Sequence, residues 1–270
     1  MLYNLKYYFR LLFHHTRYLE VCVIMIILSF AYTTMMFSVF SSTIMAEEFV
    51  NSDMFPFFIN VGPYAASYSS FMLLVPLLVS LPVGQILSIE KKNRSMILSR
   101  TNKLNNYFSK LFVSFLVGFS LIIVALGSSI LFSQIILYSD IQNIHYVSSG
   151  FAPSETHITK LYLGFYNLFL THPFLLSIIN MLMISVFGGA MSSLSVLFEN
   201  FYHNKILIYC VPFVFIIINV ILGGFFPTLS DLLYIEPRYN NFLIYLLIYL
   251  IIFIIFTVIS SIYYYKKDCY

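Results

Sequence analysis

The sequence predicts an all-α, polytopic membrane protein with six transmembrane helices, both termini on the cytoplasmic side and an amphipathic interfacial helix at the N-terminus. Three observations carry that prediction. Apolar residues fill 60% of the 270 positions and charged residues 9%, where soluble domains average about 45–50% and roughly 25%. Six apolar stretches are long enough to cross about 30 Å of hydrocarbon, a distance that takes roughly 20 helical residues. The cations gather on one side of those stretches. The alternation expected of barrel strands is absent, so helices are the spanning elements.

Residues 1–18 form no span. Leu2, Leu5, Phe9, Leu12 and Phe13 fall on one helical face and Lys6, Arg10, His14 and Arg17 on another. That pattern suits a helix lying in the membrane interface, cations toward anionic headgroups. The spans follow at 21–42, 67–89, 111–138, 173–198, 206–226 and 242–265. The first is too long for a signal peptide, and no A-x-A-like site follows it. The third is long enough to tilt or to extend beyond the bilayer. Pro76 and Pro82 are expected to kink the second span and Pro212 the fifth. Three outer segments link the spans, at 46–64, 139–171 and 223–241, and Pro173 fits the first turn of the fourth span. The chain shows no internal repeat and no soluble domain, so residues 1–270 read as one membrane domain.

Charge sets the orientation. Twelve cations (Lys6, Arg10, Arg17, Lys91, Lys92, Arg94, Arg100, Lys103, Lys110, Lys205, Lys266 and Lys267) share one side, and Lys160 and Arg238 stand on the other. The cation-poor side carries Glu47, Glu48, Asp53, Asp140, Glu155, Asp231 and Glu236. The net charge of +3 therefore expresses the positive-inside rule and gives no reason to expect nucleic acid as a partner. Cys22, Cys210 and Cys269 all fall near the cytoplasmic face, where a structural disulfide is not expected. The excess of Ile, Asn, Phe, Tyr and Lys over Ala and Arg points to an AT-rich bacterial genome, hence a bacterial plasma membrane.

The chain carries no G-x-x-x-x-G-K-[ST], H-E-x-x-H or G-x-S-x-G motif, and its six histidines are too scattered for local metal-ligand spacing. No metal site and no cofactor are expected on it. Glu47-Glu48 is the one carboxylate pair of interest for an intramembrane enzyme, and it lies on the outer side without a histidine partner in a span. Glu20, Glu90 and Glu199 sit at cytoplasmic ends of spans, within reach of water or a cation. Glu20 follows Arg17 at a helical pairing distance. Inside the spans the polar residues are amides, Gln134, Asn180 and Asn219, which either join helices or line a substrate path. Gly188, Gly189, Ser192 and Ser193 give small-xxx-small spacing for close helix packing, within the chain or between subunits.

The stretch 90–110, EKKNRSMILSRTNKLNNYFSK, holds six of the fourteen Lys and Arg. Met96, Ile97 and Leu98 form an apolar patch between Arg94 and Arg100, and Asn102 is placed to cap a helix starting at Lys103. This reads as a short helix along the membrane, a bend and re-entry, an element suited to docking in a groove on another protein. Here the sequence resembles the type-2 ABC exporter permeases, six-span subunits with an amphipathic N-terminal helix. Their cytoplasmic loop between spans two and three opens with Glu, carries a leucine–Arg stretch and closes with Tyr-x-x-Lys. Glu90, Leu98, Ser99, Arg100, Tyr107 and Lys110 match that outline, while Arg94-Ser95 stands where the family often has Gly-Thr.

The resemblance implies a coupling helix at Glu90, Arg94, Met96, Ile97, Leu98, Arg100 and Lys103 that docks on a separate cytoplasmic P-loop ATPase. ATP and Mg would bind that partner, and this chain would itself be no enzyme. A second permease copy or a paralogue completes such a transporter. A path lined by Phe, Tyr, Met and amides suits an amphipathic substrate, a peptide or antimicrobial exported for secretion or self-immunity. The alternative class is a non-transporting membrane sensor or assembly subunit whose outer segments are the working surface.

Overall fold

The computed structural model describes residues 2–14, 16–42, 65–98, 102–137, 173–199, 201, 205–222 and 242–266. The described elements are α-helices: α1 Leu2–His14, α2 Arg17–Ser42, α3 Ala65–Leu98, α4 Lys103–Leu137, α5 Pro173–Glu199, α6 Lys205–Leu222 and α7 Phe242–Lys266. Among the described residues, five stretches are long and apolar enough to cross a membrane: Arg17–Thr34, Leu74–Lys91, Lys103–Ile135, Ser177–Glu199 and Leu247–Lys266. The chain is thus a helical protein of multi-pass membrane character. In α6 the apolar stretch among the described residues is shorter, Ile208–Ile218.

Without water, a backbone stays satisfied only by forming its own helix, and helices then associate through small residues and hydroxyls. That economy recurs here. Ser29 Oγ donates to the Ala125 carbonyl at 2.6 Å and Thr33 Oγ1 lies 3.1 Å from Ser129 Oγ, joining α2 to α4. Ser80 Oγ reaches the Tyr209 carbonyl at 2.9 Å, joining α3 to α6. Ser260 Oγ donates to the Leu197 carbonyl at 2.8 Å, joining α7 to α5. The most extensive contact is between α4 and α5; α2 lies on α4 and α3, α6 on α3 and α5, and α1 on α4 and α3. The core sits between α3, α4 and α5, where Val79, Val83, Leu121, Ile122, Ile184 and Leu197 are nearly inaccessible. On the described part of α7 only Ser260 and Tyr264 are buried, and its long Ile-, Leu- and Phe-rich surface faces outward.

Two expectations are corrected. Residues 90–98 are not a separate short helix along the membrane; they are the last turns of the unbroken 34-residue α3. The reason is local: no Gly or Pro lies between Gly84 and Leu98, and Glu, Lys, Arg, Met, Ile and Leu all propagate a helix that has already nucleated. α3 is described as far as Leu98, and α4 starts at Lys103, with the Asn102 carbonyl accepting the Asn106 N–H at 3.0 Å. The 35 residues of α4 make a rod of about 52 Å, well over the ~30 Å of a hydrocarbon core.

The second correction concerns α1. Its buried residues are Asn4, Tyr8, Leu11 and Leu12, whereas Phe13, expected on the apolar face, is 65% exposed. Leu5 and Phe9 are only partly buried against the core. Hydropathy alone favours a stripe of aliphatic and Phe residues, but the face chosen is the one whose Tyr hydroxyl finds a buried hydrogen-bond partner. The Arg17–Glu20 pair does form, at 3.8 Å on an exposed surface, and Thr16 Oγ1 donates to the same carboxylate at 2.6 Å.

Candidate functional site

Five helices meet in a buried polar cluster. Lys110, about two turns into α4 and 3% exposed, places Nζ 3.0 Å from Glu90 Oε2 on α3 and 2.7 Å from Glu199 Oε2 on α5. Glu90 itself is 3% exposed at its side chain and Glu199 19%. Asn106, one turn before Lys110 and fully buried, donates from Nδ2 to Glu90 Oε1 at 3.0 Å and to the Tyr264 hydroxyl of α7 at 3.4 Å. Its Oδ1 accepts from the Tyr8 hydroxyl of α1 at 2.9 Å. Lys110 Nζ also lies over the Tyr264 ring, 5.4 Å from its centroid, and the Tyr107 ring packs 5.2 Å from the same ring. One ammonium thus ties two carboxylates from different helices, and one amide ties α1 and α7 to the same point.

Charges so removed from water are strongly attracted, but only while paired. The cluster therefore fixes the relative positions of α1, α3, α4, α5 and α7 at this end of the bundle. Beyond it, α3 runs on from Glu90 to Leu98 and α4 has come from Lys103, about 10–12 Å of helix in each case. α5 ends at Glu199, within the cluster. The last turns of α3 and the first turns of α4 accordingly lie beyond the clamp along each helix.

Burial, and after it the Glu90 carboxylate, push the Tyr8 phenol well above its ordinary pKa. Tyr8 stays protonated and keeps donating to Asn106. In the unfolded chain the same phenol ionises near pH 10, so above that pH the folded state binds the extra proton and stability falls as pH rises. Tyr8→Phe is expected to cost about 1 kcal/mol near neutral pH, a typical single hydrogen bond. The gap between wild type and Tyr8→Phe in detergent unfolding is expected to narrow above about pH 10; a constant gap would contradict the assignment.

The residues singled out from sequence fall into three groups. Glu90 is in the cluster, and Lys103 begins α4, half-buried. Arg94, Met96, Ile97 and Leu98 lie on the last turns of α3, with side chains outside the described residues; Arg100 lies outside them altogether. Of the amides, Asn180 and Gln134 stand at different levels along their helices. Met181 of α5 lies against Gly127 of α4, so Asn180 stands about 10 Å before Gln134 along α4, and Asn219 is on α6. The small residues come together with α4: Gly188, Gly189 and Ser192 pack against Phe115, Gly118, Ile122 and Ser114. Ser193 bonds back to the Gly189 carbonyl of its own helix. Glu47, Glu48 and the outer segments lie outside the described residues. Among the described residues no group of three His, Cys, Asp or Glu could hold a metal.

Sequence reasoning missed Tyr8, Asn106 and Tyr264, and did not join Lys110 to Glu90 and Glu199. A signal existed for the triad: Ile89-Glu90, Lys110-Leu111 and Phe198-Glu199 put acid, base and acid at the same-side ends of three apolar runs. Comparison of the chain with protein-family models, curated proteins and solved structures finds no match in any of the three.

Proposed function

We propose that this chain is the permease subunit of an ATP-driven exporter of the type-2 ABC class, working with a separate cytoplasmic P-loop ATPase that binds ATP and Mg. The observation that supports this reading best is the clamp at the base of the basic hairpin. A hairpin of two continuous helices, cross-braced by Lys110 between Glu90 and Glu199, passes a push at its tip to α5, and through Asn106 to α1 and α7. In this reading Glu90 braces the hairpin from within, while Arg94, Met96, Ile97, Leu98, Arg100 and Lys103 meet the ATPase. α6 serves as the sixth span, both termini face the cytoplasm of a bacterial cell, and a second permease copy or paralogue completes the path. The substrate we propose is an amphipathic peptide or antimicrobial, moved outward past the aromatic and amide residues of the spans, Gln134, Asn180 and Asn219 among them.

The test is purification of the tagged chain from its native membrane in mild detergent, with its companions identified by mass spectrometry. A near-stoichiometric soluble protein carrying a Walker motif is expected. Arg100→Glu, or Met96→Asp with Ile97→Asp, is expected to lose that partner and abolish transport while the chain still inserts. Recovery of the chain alone, even after crosslinking, would turn the reading toward a sensor or assembly subunit.

A further inference from the structure

α1 buries one side and shows the other. At about 100° per residue, Asn4, Tyr8, Leu11 and Leu12 form the side packed on α3 and α4. Tyr3, Lys6, Arg10 and Phe13 fall within about 80° of one another on the far side, and all four are exposed, Tyr3 by 61% and Phe13 by 65%. The helix contains no carboxylate. Among the described residues the ion pairs engage Arg17 and Lys110, and none engages Lys6 or Arg10. The stripe is therefore two cations flanked by two aromatic rings, without an ion-pair partner among the described residues.

We propose that this outward stripe of α1, Tyr3, Lys6, Arg10 and Phe13, is a binding surface for anionic phospholipid headgroups. Three features select lipid as the occupant. α1 leads within two residues into the membrane-spanning stretch that begins at Arg17, which pins the stripe at the height of a bilayer surface. Aromatic rings favour the headgroup zone, while ammonium and guanidinium groups favour its phosphates. And Asn4, Tyr8, Leu11 and Leu12 are already packed against the protein, so the side left to meet lipid is the one that carries both cations and Phe13. Lipid seated there bears on the same helix whose Tyr8 hydroxyl holds Asn106, so occupancy stabilises the buried cluster as well as α1. The inference needs a membrane but no ATPase.

The experiment uses the full chain in neutral detergent, titrated with phosphatidylglycerol or phosphatidylcholine while thermal unfolding is followed, with retained lipid counted by native mass spectrometry. Phosphatidylglycerol is expected to raise the melting temperature at a concentration roughly tenfold or more below that needed for phosphatidylcholine, and the preference is expected to shrink as salt is added. Lys6→Gln with Arg10→Gln is expected to remove both the preference and the retained anionic lipid; Lys91→Gln, an exposed cation on α3, keeps them. Equal responses to the two lipids, or an undiminished preference in the double variant, would overturn the proposal. So would a double variant that keeps its lipid but loses a co-purifying acidic protein, which would make the stripe a protein-docking face.

Discussion

Lys110→Met is expected to destabilise the folded chain by on the order of 3–5 kcal/mol, the cost of leaving buried charge without its partner. The geometry makes the expectation specific. Glu90 Oε2 and Glu199 Oε2 stand 3.0 and 2.7 Å from the same nitrogen, so the two carboxylates share one ammonium and lie within about 6 Å of each other. With a thioether in place of the ammonium, the buried Glu90 carboxylate loses its ion-pair partner and the helices are expected to part and admit water. Glu199→Gln is expected to cost less, because Lys110 keeps Glu90 and Glu199 is the more accessible acid. The triple change Glu90→Gln, Lys110→Met, Glu199→Gln removes every charge together and is expected to recover most of the loss. Thermal unfolding and size exclusion in detergent read all three. A Lys110→Met protein as stable as wild type would show that the triad clamps nothing. The same series separates folding from coupling: under the exporter reading, the triple variant folds but moves substrate poorly, because its neutral amides no longer brace the hairpin against α5.

How far the sequence leads differs from element to element. The helices of α2, α3, α4, α5 and α7 are legible because an uninterrupted apolar run of 20 or more residues has no other stable form in a membrane. The start of α4 at Lys103 was legible from Asn102. The end of the second span was not: a change from apolar to charged residues at Ile89-Glu90 marks where hydrocarbon stops, and α3 continues past it because helix propensity is indifferent to that boundary. The facing of α1 was missed for a related reason. Leu5, Phe9 and Phe13 make the greasier side, yet a single buried bond from Tyr8 to Asn106, 98 residues away in sequence, turns the helix. Long-range pairing is also what hid the cluster. Lys110, Glu90 and Glu199 each look like ordinary ends of spans, and only the registers of α3, α4 and α5 against one another make them one site.

Those registers rest on a contact that admits no side chain, which gives the other large effect. Gly118→Leu is expected to destabilise by on the order of 3 kcal/mol or more, at the upper end of overpacking penalties. A Cβ at Gly118 would lie inside van der Waals contact of the Gly188 carbonyl oxygen, 2.9 Å from its carbon and 2.5 Å from Ser192 Cβ. Two of these atoms are backbone, so no rotamer change relieves the overlap and α4 must move off α5. One turn away on each helix, Ser114 Oγ donates to the Ser192 carbonyl and Ser192 Oγ to the Ser114 carbonyl, both at 2.8 Å. Separation loses that reciprocal pair too, and each bond is worth about 1 kcal/mol or somewhat less in a membrane. Gly127 supplies the control on the same helix: its Cβ would meet nothing nearer than Met181 Sδ at 4.0 Å. Gly127→Ala is expected to be neutral or to stabilise by up to about 1 kcal/mol, the usual gain of Ala over Gly in a helix. If Gly118→Leu and Gly127→Ala unfold at similar temperatures, α4 and α5 do not approach each other here, and the alignment that brings Lys110 to Glu199 at their shared end loses its support. If Gly118→Leu alone is unstable, and Lys110→Met on top of it adds little further cost, the contact at Gly118 and the ion cluster at Lys110 are one cooperative α4–α5 interface.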